Sequence, residues 1–230
     1  MATLPSTDGV DPVTIIALIA AAGVAAAGYT IHHLRQQMIA REARAEEVWA
    51  LLAKNYGLTY THVVVHDDRI VERQCSGTQG GLSVRVEQGT SSVDNARITT
   101  IRVAIDGWPY PKLRIHRASE AHVATSPTGD RSFDAVGAMQ SPDVEFAAAV
   151  VTPDVRAAFV DLWQFAGDAT FQDGKLTWRT PGVVSELKAL DGTLHRALVA
   201  MRLLRAGTAG PGDSDESVAD ERSGLYTPPQ

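Results

Sequence analysis

Val13 to Ile31 is the longest apolar run of the chain, nineteen residues without a charge (VTIIALIAAAGVAAAGYTI). At about 1.5 Å rise per residue it reaches roughly 28 Å, near the thickness of a bilayer's hydrocarbon core. A helix of a soluble core normally keeps a polar face, whereas this run is relieved only by Thr14, Tyr29 and Thr30. The pattern predicts one transmembrane helix over 13–31, preceded by a short extracytoplasmic tail, 1–12. A cleaved signal peptide is the rival reading. It requires a basic leader, and residues 1–12 hold no Lys or Arg but carry Asp8 and Asp11.

Beyond the run the helical pattern continues. Ile31, Leu34, Met38, Arg41, Ala45, Val48 and Leu52 alternate at spacings of three and four, a heptad-like seam broken at Arg41. No Pro or Gly interrupts 29–56, and Gly57 is a fair C-cap. This predicts a juxtamembrane helix over 32–56. Its seam either packs on the chain's own domain or joins further copies through 13–52.

From Leu58 the period falls to two. Strands are expected at 58–66, 69–75, 82–88, 97–106 and 112–117, with a further strand or two in 131–151. Asp67-Asp68, the glycines at 77, 80 and 81, residues 89–95 and Trp108-Pro109-Tyr110-Pro111 punctuate them. Short links between consecutive strands predict an antiparallel meander. Helical signals then return. Thr152-Pro153-Asp154 combines a capping hydroxyl, an N1 proline and an early acid; Val155, Phe159, Leu162 and Ala166 follow on one face, and Gly167 ends it. Residues 169–180 predict a hairpin on Asp173-Gly174. Val183, Leu187, Leu190, Leu194, Leu198 and Met201 make one stripe of a helix over 183–204. The fold class expected is therefore α+β: a soluble domain, 57–205, with an antiparallel sheet packed by two helices.

Charge adds direction. Net charge is −6, and residues 206–230 hold five acids and one base, so an acidic character belongs to the tail. That tail is rich in Gly, Pro and Ser and is expected to be disordered. Arg35, Arg41, Arg44 and Lys54 follow the apolar run and no base precedes it, which predicts a cytoplasmic soluble domain. Arginine outnumbers lysine seventeen to four, a bias typical of a GC-rich bacterial genome. The single cysteine, Cys75, excludes an internal disulfide and fits a reducing compartment.

Candidate chemistry is sparse. Cys75 in QCSGTQGG matches no nucleophile motif and reads as a strand-end thiol. Gly80-Gly81 leads into a strand, so a β-turn explains it better than a phosphate loop. His62 and His66 on one strand lie about 13 Å apart, too far for one ion, and His32-His33 diverge on a helix. No cofactor, metal site or nucleic-acid partner is expected. Asp130 and Asp134 make a pair that could do acid/base work if their environments differ; a capped polar loop explains them equally.

Alternation supplies one further pattern. With Leu82, Val84, Val86, Ile101, Val103, Ile105, Leu113 and Ile115 facing in, Arg85, Arg102, Lys112, Arg114 and His116 face out. Beside them lies the aromatic turn carrying Trp108 and Tyr110. Basic strands with an aromatic tip suit contact with an anionic lipid surface or an anionic protein partner; an ordinary solvated face, with the aromatic turn folded on the core, is the alternative. The functional expectation is a single-pass, non-enzymatic binding or scaffolding module at the cytoplasmic face of a bacterial inner membrane. The alternatives are a membrane-tethered hydrolase using Asp130 and Asp134, and an oligomerising assembly subunit.

Overall fold

The structure, a computed structural model, describes residues 12–65, 70–91, 96–108, 112–118 and 127–208. The chain divides into two compact units, 1–47 and 48–230.

The first unit is the greater part of a long helix, α1 (Pro12–Asn55). Among the described residues no helix is long and apolar enough to cross a membrane. The side chains of Val13–Leu18 lie outside the described ones. The remaining stretch, Ile19–Ile31, covers roughly 20 Å, short of a hydrocarbon core of about 30 Å. Its apolar side chains are exposed, as are Leu34, Met38 and Ile39 beyond it.

The second unit takes in the last turns of α1, because Trp49 and Leu52 are fully buried there. Trp49 Nε1 donates to Val184 O at 3.3 Å and Tyr56 Oη to Asp191 O at 3.3 Å. The strands follow as β1 (Thr59–Val65), β2 (Ile70–Gln79), β3 (Leu82–Thr90), β4 (Arg97–Ile105) and β5 (Arg114–Arg117). Then come α2 (Arg131–Asp134), β6 (Gly137–Gln140), α3 (Val144–Val150), α4 (Pro153–Ala166), β7 (Ala169–Gln172), β8 (Lys175–Pro181) and α5 (Leu187–Thr208). The eight strands form one antiparallel sheet in the order β1-β2-β3-β4-β8-β7-β5-β6.

The antiparallel α+β reading holds, with three corrections. The meander runs only from β1 to β4; the hairpin β7–β8 then inserts beside β4, so β5 is three strands away from it. Segment 131–151 gives one strand, as expected, with two short helices beside it. The last helix begins at Leu187 rather than 183. The Val184 backbone is already engaged, its N–H donating to Thr99 Oγ1 and its carbonyl accepting from Trp49. That helix also runs to Thr208, into the expected tail. Gly207 permits this, since a Cβ there would stand 2.9 Å from Val150 O. The rest of the tail, 209–230, lies outside the described residues.

Local rules explain the remaining elements. Thr152 caps α4 by accepting from Val155 N, and Asp173 (φ 50°) with Gly174 (φ 81°) makes the tight turn of β7–β8. Strict alternation on β3 sends Leu82, Val84, Val86 and Gln88 inward. They meet Ile101 and Val103 of β4 in register, which in turn meet Trp178 and Leu176 of β8. This face is closed by Leu190, Leu194, Leu198 and Met201 of α5 and by Val155, Phe159, Leu162 and Trp163 of α4.

Candidate functional site

The opposite face of the sheet is polar. Its positions on β3 are Ser83, Arg85 and Glu87, on β4 Thr100, Arg102 and Ala104, and on β8 Lys175, Thr177 and Arg179. Beyond these lie Thr170 and Gln172 of β7 and Arg114 and His116 of β5. Two shallow depressions mark the face. One, about 390 Å³, includes Gln74, Arg85, Glu87, Thr100, Arg102 and Arg179 in its lining. The other, about 540 Å³, is lined by Asp168, Thr170, Gln172, Asp173, Lys175, Thr177 and Arg179.

The structure brings Arg85 and Arg102 together as a direct cross-strand pair. Like charges in that register repel, and Glu87 offsets this. Its Oε2 accepts from Arg85 Nε at 2.8 Å, and its Oε1 accepts from Arg102 Nη1. Arg114 shares the face but sits three strand steps from Arg102, about 14 Å at typical strand spacing. Lys112 does not belong to a strand: β5 starts at Arg114, and Lys112 occupies a turn at φ 75°, its backbone N–H donating to Asp173 Oδ1. Trp108 folds back onto the β7–β8 hairpin, edge-on to Phe171 at 5.3 Å between centroids. It lies so close over Gly174 that a Cβ there would stand 2.4 Å from it. Tyr110 lies outside the described residues, as does His66.

Sequence reasoning missed Lys175 and Arg179. The hairpin's alternation marks both as outward, opposite Leu176 and Trp178, but nothing local says that β8 lies beside β4. Among the described residues, Lys175, Arg179 and Arg114 form no ion pair, so the uncompensated charge is centred on β8 and β5 rather than on β3.

Asp130 and Asp134 are occupied by structure. Asp130 caps α2, its Oδ1 accepting from Ser132 N at 3.0 Å and Phe133 N at 3.2 Å, while Oδ2 accepts from Arg156 Nε at 3.1 Å. The Phe133 N–H, then the Arg156 guanidinium, hold its carboxyl below the usual carboxylate range. A catalytic acid needs the reverse shift. Asp134 accepts from Thr128 N, Thr128 Oγ1 and Gly129 N. Cys75 lies within β2 rather than at its end. It is fully buried, and burial pushes its thiol up to about 12, which leaves it protonated and a poor nucleophile at neutral pH.

No family model and no curated protein matches the chain. Among solved structures it is similar to the crystal structure of the mycobacterial trehalose monomycolate transport factor A, with a TM-score of 0.46 and 15% identity, covering 70% of this chain and 94% of that chain.

Proposed function

We propose that this chain is a single-pass, membrane-anchored, non-enzymatic binding or scaffolding module whose sheet domain works at the cytoplasmic face of a bacterial membrane and takes an anionic surface on its polar sheet face. The observation that carries this reading is that face itself. Its strands bury one side under helices, while the other presents Arg85, Arg102, Arg114, Lys175 and Arg179. The run Val13–Ile31 and the basic residues after it support the anchor and its orientation. Each cation near an anionic leaflet contributes about 1 kcal/mol, so the face should bind measurably and lose binding with salt.

The test is co-sedimentation of residues 48–230, the second compact unit, with anionic and neutral vesicles at two salt concentrations. Preferential, salt-sensitive binding to anionic vesicles, weakened by Arg102→Ser with Arg114→Ser, supports the reading. Equal binding to both vesicle types, or no response to the substitutions, refutes it.

A second reading, homo-oligomerisation through 13–52, is favoured by the exposed stripe Ile31, Leu34 and Met38, which keeps heptad spacing. Here Leu34→Glu with Met38→Glu should shift the full chain in neutral detergent to a smaller species. An unchanged mass would remove this reading.

A further inference from the structure

We propose that the polar face contains a defined oxyanion site, taking a phosphate group, centred on the paired hydroxyls of Thr177 and Thr170. The inference rests on the reading of this face as a binding surface and assigns its ligand chemistry. Register places the site. Thr177 of β8 stands opposite Arg102 of β4 on one side and opposite Thr170 of β7 on the other. Thr170 in turn stands opposite His116 of β5. Arg179 and Lys175 are two residues up and two residues down β8 from Thr177. With strands about 4.8 Å apart and alternate residues about 6.8 Å apart along a strand, the two hydroxyl donors are flanked along β8 by Lys175 and Arg179, while Arg102 beside them is paired with Glu87.

Several features point to an anion. The cavity over these threonines is about 540 Å³, ample for a phosphate group and the start of its ester. Its lining also holds two acids, each with a partner of its own: Asp168 lies 3.5 Å from Arg117, and Asp173 accepts from the Lys112 N–H. Among the described residues, Lys175 and Arg179 form no ion pair. A guanidinium fork, an ammonium and hydroxyls are the donor types that a tetrahedral oxyanion accepts. A carbonyl or a cation would leave most of them unused.

The phosphate can come free in solution or on a lipid headgroup, and one experiment separates the two. The full chain in neutral detergent is titrated with inorganic phosphate, and separately with micelles doped with phosphatidylglycerol, while the amide resonances of Thr170, Thr177 and Arg179 are followed. Saturable shifts with inorganic phosphate are expected. In Lys175→Gln with Arg179→Gln the affinity should fall by about tenfold or more, equivalent to about 1.4 kcal/mol per factor of ten. Thr177→Val should weaken binding without changing the charge. Shifts with the doped micelles alone, lost in the same variants, place the phosphate on the lipid and also support the site. No shift with either ligand, or shifts untouched by the variants, overturns it. If vesicle binding still responds to Arg102→Ser with Arg114→Ser but not to Lys175→Gln with Arg179→Gln, the defined site fails while the broader reading stands.

Discussion

The same strands build two faces that obey different rules. On the helix-covered side, Val86, Ile101 and Trp178 lie in one cross-strand row, and each is buried. One residue along, on the other side, the row is Arg85, Arg102 and Thr177. Alternation at period two makes this separation automatic. The difference teaches where stability and recognition reside. Apolar area removed from water holds the fold at about 25 cal/mol per Å². Exposed ion pairs such as Arg85–Glu87 contribute about 0–1 kcal/mol, so the polar face is free to vary toward a ligand at little cost to folding.

The largest expected effect tests where the covered face ends. A fragment starting at Gly57 loses Trp49 and Leu52, both fully buried. Truncating side chains of this size costs about 2–5 kcal/mol each, against a total stability of about 5–15 kcal/mol. Residues 57–230 are therefore expected to show no cooperative thermal transition by circular dichroism, whereas 48–230 should melt sharply. Equal melting of the two would show that the α1 turns are not part of the core.

A neighbouring pair on β7 compares the faces directly. Phe171→Ala removes a ring that is fully buried and packed against Trp108, and should cost about 3–5 kcal/mol in urea unfolding. Thr170→Ala, one residue away on the polar face, should change stability by no more than about 0.5 kcal/mol. Comparable losses would mean that both faces are packed.

Two glycines on β2–β3 sharpen the contrast at smaller scale. Gly81 has φ 70°, a conformation that side chains rarely adopt, so Gly81→Ala should cost about 1 kcal/mol or more even though the neighbouring Arg205 guanidinium can swing aside. Gly89 faces the polar side, where a Cβ would meet nothing within 4 Å. Gly89→Ala should be neutral or stabilise by about 0.4–1 kcal/mol. Matching losses in melting temperature would contradict the difference.

Much of this division was legible in the sequence, because it depends on local periods. The strands over 82–88 and 97–106, the Thr152 cap of α4 and the Asp173-Gly174 turn follow from neighbours a few residues apart. What was not legible depends on long-range placement. No local signal says that the 169–181 hairpin inserts between β4 and β5, so the sequence could not bring Lys175 and Arg179 next to Arg102 or carry Arg114 away from it. The outward direction of Arg85 and Arg102 was readable, but their neutralisation by Glu87 needed the register, since Arg102 and Glu87 are on different strands. Trp108 could have been a free tip or part of a turn folded on the core, and only the approach to Gly174 of a distant hairpin decides it.

The central claim is that the polar sheet face, and not the helical side, meets an anionic membrane. The most direct measurement places a fluorophore on each side, at Ser83→Cys on the polar face of β3 and at Val199→Cys on the exposed part of α5, in a Cys75→Ser background. Spin-labelled lipids then report proximity in anionic bilayers. The account predicts strong quenching at position 83, relieved by salt, and little at 199. Quenching at 199 with none at 83 would contradict it.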